Sequence, residues 1–126
     1  MKLYNIKKRE EQVSFKEAVL HGLATDGGLY FPQALPFFEH MDTLLGQDFV
    51  SRSSFILQHI LQGELTCEAI DRIVKKAFNF PLCVKQLSEN IIALELFWGP
   101  TLAFKDFGAR FMANVLAEIT QDPLRL

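Results

Sequence analysis

A chain of 126 residues, 49% hydrophobic and 12% aromatic, is the size of one domain and can bury a core, which excludes a disordered polypeptide. Its 13 basic residues stand against 15 acidic ones, and the longest basic run, Lys7-Lys8-Arg9, meets Glu10-Glu11 at once, so neither nucleic acid nor an anionic membrane is an expected partner. Charge interrupts the first residues before a signal peptide can form, and no later apolar run could span a bilayer, so a soluble cytoplasmic protein is the expectation.

Leu3-Tyr4-Asn5-Ile6 is a candidate strand. Ser14-Phe15-Lys16-Glu17 is a capping box that opens a helix running to His21, and Gly22 ends it. Thr25-Asp26-Gly27-Gly28 supplies a turn, and Leu29-Tyr30-Phe31 before Pro32 reads as a short strand stopped by proline. Together these make a small mixed unit. Apolar spacing then predicts an amphipathic helix over 48–61, with Phe49, Ile56, Leu57, Ile60 and Leu61 on one face. A second covers 67–78, with Ile70, Ile73, Val74 and Phe78 together, and Asn79-Phe80-Pro81 breaks it.

Ile91 to Phe97 is a nearly continuous apolar run with one carboxylate, Glu95, the pattern of a central strand. After Gly99-Pro100-Thr101, the residues Phe104, Phe107, Phe111, Met112, Val115, Leu116 and Ile119 keep helical spacing over 104–120, until Asp122-Pro123 interrupts them. A strand, a glycine turn and a helix form half of a βαβ unit, whose parallel sheet needs a further strand. The expected fold class is therefore α+β, a small mixed amino-terminal unit with helices followed by an incomplete strand-turn-helix piece of an α/β domain. The expected division is 1–90 and 91–126. Cys67 and Cys83 lack a second cysteine or histidine at metal-site spacing and read as reduced, small apolar residues, so no metal site is expected.

Only Glu95 to Phe111 reads as a site. Lys105 stands between Phe104 and Phe107 at a helix start, where desolvation and the positive end of the helix dipole both disfavour an ammonium. A lowered pKa suits an amine nucleophile. Asp106 pulls the other way if its carboxylate faces the amine. The bland reading is a lysine whose stem lies on apolar surface while the amine reaches water.

The run Phe97-Trp98-Gly99-Pro100-Thr101-Leu102-Ala103-Phe104-Lys105-Asp106-Phe107-Gly108 resembles the cofactor-lysine motif of threonine synthases, within the β-type pyridoxal-phosphate enzymes. Tyr4-Asn5, Val13 to Val19, Gly22-Leu23 and Gly27 to Pro32 resemble that family's opening segment, so two matches in the expected order cover most of the chain. The resemblance implies conversion of O-phospho-L-homoserine and water into L-threonine and phosphate, with Lys105 carrying pyridoxal phosphate covalently and then moving protons. It also makes 91–126 the truncated start of the cofactor-binding domain. Thr101 and Asp106 become candidate neighbours of the cofactor or substrate, although the Thr101 hydroxyl reads equally as a turn or cap group. The family usually has histidine where this chain has Trp98, an indole that stacks and donates one hydrogen bond.

A loop rich in glycine, serine and threonine that cradles the cofactor phosphate follows this helix in the family. Its absence makes the chain an expected fragment, inactive alone and poor at holding cofactor. Two alternatives remain: another pyridoxal-phosphate lyase such as a serine or threonine dehydratase, whose family lacks the opening segment, or a non-catalytic docking module. An uncovered apolar face on the last helix and sheet edge would favour self-association of such a fragment.

Overall fold

The computed structural model describes residues 1–39 and 41–120. The expected interruption at Asp122-Pro123 lies outside them. Five strands and five helices follow in the order β1 (Lys2–Asn5), β2 (Lys8–Ser14), α1 (Phe15–His21), β3 (Tyr30–Pro32), α2 (Met41–Leu45), α3 (Phe49–Ile60), α4 (Cys67–Ala77), β4 (Cys83–Ser88), β5 (Ile91–Glu95) and α5 (Lys105–Thr120). The mixture is the expected α+β class.

β1 is the middle strand of an antiparallel sheet ordered β2-β1-β3, in which Leu3 faces Val13 on one side and Pro32 on the other. Strand alternation turns Leu3 and Asn5 to the same face, and both are buried. A register shift between Tyr4 and Asn5 releases β2 into its turn. β2 is an addition to the sequence reading, because Lys-Arg-Glu-Glu-Gln on an exposed edge shows no apolar alternation while its charges discourage further pairing.

The capping box is formed as expected: the Glu17 amide donates to the Ser14 hydroxyl, and the Ser14 amide donates to the Glu17 carboxylate. Those bonds from Ser14 hold Glu17 below the usual carboxylate pKa. Gly22 closes the helix at φ 73°, a left-handed conformation that a side chain would resist.

The core lies between α3, α4 and α5. Leu61, Ile70 and Val74 are its buried centre, with Leu57, Ile60, Phe78 and Phe111 packed around them. Asp48 caps α3 by accepting from the Val50 and Ser51 amides, and Thr66 caps α4 by accepting from Ala69. α4 carries the sharpest division of faces, burying Ala69, Ile70, Ile73, Val74 and Ala77 while Lys75 and Lys76 stay in solvent. Arg110 ties α5 to the end of α4. Its guanidinium donates to the Ala77 carbonyl at 2.9 Å, the Lys76 carbonyl at 2.8 Å and the Asn79 side chain at 2.7 Å. A cation thus satisfies carbonyls that a helix end leaves without partners, at the negative end of its dipole.

The Ile91 strand departs from expectation. It pairs antiparallel with β4, Cys83 facing Glu95 and Lys85 facing Ala93, in a separate two-stranded sheet. Ile91, Ile92 and Leu94 are exposed rather than covered on both faces. β4 escaped the sequence reading because Lys85 and Gln86 interrupt its apolar residues. The hairpin turn falls at residues 89–90, so the division drawn from sequence at 90/91 runs through it. Cys67, read as a small apolar residue, is exposed at the start of α4, and Cys83 is half-buried; both are free thiols. Among the described residues, no helix is long and apolar enough to cross a membrane.

Candidate active site

Between β5 and α5 the chain makes a tight double turn. The Leu102 amide donates to the Gly99 carbonyl at 3.0 Å, and the Asp106 amide donates to the Ala103 carbonyl at 3.1 Å. Leu102 adopts φ 56°, the one positive φ among described non-glycine residues, although its side chain is 74% exposed and gains little from packing. A left-handed leucine costs on the order of 1–2 kcal/mol, so the surrounding turn has to impose it.

Asp106 supplies much of that constraint. The residue is 4% exposed, and its carboxylate accepts the Thr101 amide at 2.9 Å. Gly99 is buried against the same side chain. A Cβ at position 99 would fall on the carboxylate and lie 2.7 Å from the Asp106 Cβ, so only glycine lets the backbone close this far.

Lys105 is the first residue of α5 and is exposed. Phe104 is 67% exposed, so the desolvating aromatic shell expected around the amine is not closed in this chain. Phe107 turns inward instead, meeting Phe49, Phe78 and Phe80 at ring-centroid distances of 5.9, 6.1 and 4.9 Å. The two phenylalanines flanking Lys105 therefore do different things: one anchors α5 to the helical core and the other faces solvent.

Of the candidate site residues, Lys105, Thr101 and Asp106 are brought into one turn, but not as three groups facing one space. The Thr101 backbone and the Asp106 side chain are bonded to each other, leaving the Thr101 side chain and the Lys105 amine exposed. Trp98 is stacked on Phe97 at 5.6 Å, and its indole donates to Glu95 at 3.0 Å. The sequence reading missed Gly99 and Arg110 as determinants of the site. A glycine seven positions before a helical acid has no periodic signature, and Arg110 could have been suspected only from its place one turn into α5, facing the end of an adjacent helix.

A solvent-exposed amine at the first position of a 16-residue helix suits condensation with a carbonyl compound. Among the described residues, no group of three or more histidines, cysteines, aspartates or glutamates is arranged to hold a metal.

Comparison with known proteins adds an independent finding. Residues 4–78 match the family model for the threonine synthase N terminus. The chain is 52% identical over 122 residues to the threonine synthase of Haemophilus influenzae, covering 97% of this chain and 29% of that protein. It is 48% identical over 124 residues to the Escherichia coli threonine synthase, with the same coverage of each. The crystal structure of the Escherichia coli protein superposes with a TM-score of 0.92 at 48% identity, over 95% of this chain and 28% of that one. The structure of pyridoxal-phosphate-bound threonine synthase from Brucella melitensis gives 0.89 at 34% identity, over 96% and 28%. The chain thus spans less than a third of the length of these relatives.

Proposed function

We propose, from the premise that the chain belongs to the threonine synthase N-terminus family, that the full-length protein is a pyridoxal-phosphate-dependent lyase. It converts O-phospho-L-homoserine and water into L-threonine and phosphate, with Lys105 as its cofactor lysine. The observation that carries this reading is the exposed Lys105 amine at the first position of α5, held on a turn that the fold fixes from below.

The cofactor supplies the electron sink that lets bonds next to the substrate's amino-bearing carbon break. The chain's own residues supply the rest of this side of the site. Lys105 offers an amine for condensation and, once freed, a base that takes and returns a proton at its Nζ. The positive end of the α5 dipole favours negative charge nearby, and Thr101 adds an exposed hydroxyl. Phe107 and Arg110 keep α5 seated on α4, so the amine has a fixed base from which to reach. The groups holding the cofactor phosphate belong, in this proposal, to the part of the protein corresponding to what this chain does not span.

The strand-turn-helix piece is proposed as the beginning of the cofactor-binding domain, and the working place as the cytoplasm. Val84, Leu87, Ile92 and Leu94 on the hairpin are exposed, which supports the reading that the chain alone buries them by self-association. Phosphate release from O-phosphohomoserine by the full-length protein tests the function. Turnover that survives removal of every amine at position 105 would overturn the assignment.

A further inference from the structure

We propose that Asp106 is a positioning residue for Lys105: its buried carboxylate latches the Gly99–Leu102 turn through the Thr101 amide instead of contacting cofactor or substrate. This rests on the reading of Lys105 as the cofactor lysine.

A carboxylate taken out of water must find donors, and Asp106 finds one in the Thr101 amide at 2.9 Å. Gly99 presses its bare α-carbon against the same side chain, a contact that any larger residue would prevent. Between these two anchors Leu102 is bent to φ 56°, with its amide tied to the Gly99 carbonyl. The latch also fixes direction. Successive side chains on an α-helix diverge by about 100°, so an Asp106 pinned inward at the first turn of α5 sets Lys105 outward. Removing the carboxylate frees both the turn and the helix's first residue.

The test uses the full-length protein and two readouts. In the cofactor-free state, Asp106→Ala should raise hydrogen exchange at the Thr101 amide by about tenfold to a hundredfold, the loss of one hydrogen bond to a charged acceptor. Asp106→Asn keeps an acceptor oxygen and should stay within about threefold of the parent. Gly99→Ala should open the same bond, and combining it with Asp106→Ala should add little, because both changes act on one contact. The second readout is the rate at which borohydride traps pyridoxal phosphate on Lys105, measured below every variant's melting temperature. It should fall in Asp106→Ala and Gly99→Ala and recover in Asp106→Asn.

Protection of Thr101 that survives Asp106→Ala would overturn the proposal. So would an open latch with an unchanged trapping rate, which is what a merely structural residue gives. A trapping defect in Asp106→Asn as deep as in Asp106→Ala would also overturn it, since the charge would then act on the bound molecule directly. If Lys105 is not the cofactor lysine, the parent protein itself shows no trapping there, and the exchange measurement still decides whether the latch exists.

Discussion

The loop from Thr25 to Leu29 and the loop from Gly99 to Phe104 are each folded over one buried polar side chain, Asn5 in the first and Asp106 in the second. In both, a glycine lies where a Cβ would strike that side chain: Gly28 would put it 2.8 Å from the Asn5 Cγ, and Gly99 would put it 2.7 Å from the Asp106 Cβ. In the first loop every polar atom of Asn5 is used. Its amide nitrogen donates to Glu11 at 3.0 Å and to Asp26 at 2.9 Å, and its oxygen accepts the Lys7 amide at 3.0 Å. Lys7 is absorbed too, donating its amine to the Asp26 carbonyl at 2.9 Å.

The second loop stops short of that closure. Its acid holds the backbone, but its lysine points into solvent from a turn containing a strained leucine. A loop folded around a side chain whose polar atoms are all paired is architecture. One that fixes its backbone and leaves an amine uncommitted is what the proposed role of Lys105 requires.

The largest separation of the two loops should come from Lys105. In the full-length protein, Lys105→Ala should abolish phosphate release from O-phosphohomoserine while leaving the melting temperature of the cofactor-free protein nearly unchanged, since the side chain is exposed. Lys105→Arg should be equally inactive, because a guanidinium keeps the charge but stays protonated and does not condense with an aldehyde. Asn5→Ala should do the reverse. By removing a side chain that is 0% exposed together with its three hydrogen bonds, it should cost about 2 kcal/mol of stability, read by denaturant unfolding, with turnover per folded molecule retained.

Thr66→Ala, which removes the α4 cap, should cost about 1 kcal/mol in the same measurement. Acid should weaken the first loop and the start of α3. Asp26 is held below the usual carboxylate pKa first by the Asn5 hydrogen bond and then by the Gly28 amide, and Asp48 by its bonds to Ser51. Groups whose folded pKa is depressed stabilise the fold above the unfolded value of about 4, and that contribution is lost as pH falls below it. Unfolding scans from pH 6 to pH 2 should therefore show stability falling at the acid end, with a shallower fall in Asp26→Asn. The smallest effect is expected at Lys75 and Lys76, solvated on α4, where alanine should change neither stability nor turnover appreciably.

Much of the fold was legible because it obeys local rules. The Ser14-Glu17 capping box and the apolar spacing of Ile70, Ile73 and Val74 are visible in the sequence and formed in the structure. β2 and β4 were not legible, since their charged and polar residues are tolerated by edge pairing rather than selected by burial. Ile91–Glu95 reads as a central strand from composition, yet its described partner is one antiparallel neighbour. At the site, the Lys105 motif was legible through its resemblance to a family. The inward turn of Asp106 was not, because it depends on Gly99 closing over it from the other side of the turn.

Covalent capture bears most directly on the role of Lys105. Full-length protein is incubated with pyridoxal phosphate, reduced with borohydride, digested and mapped by mass spectrometry. One adduct per chain, on Lys105, is the expected result. Stoichiometric labelling of a different lysine, with Lys105 unmodified, would contradict the account.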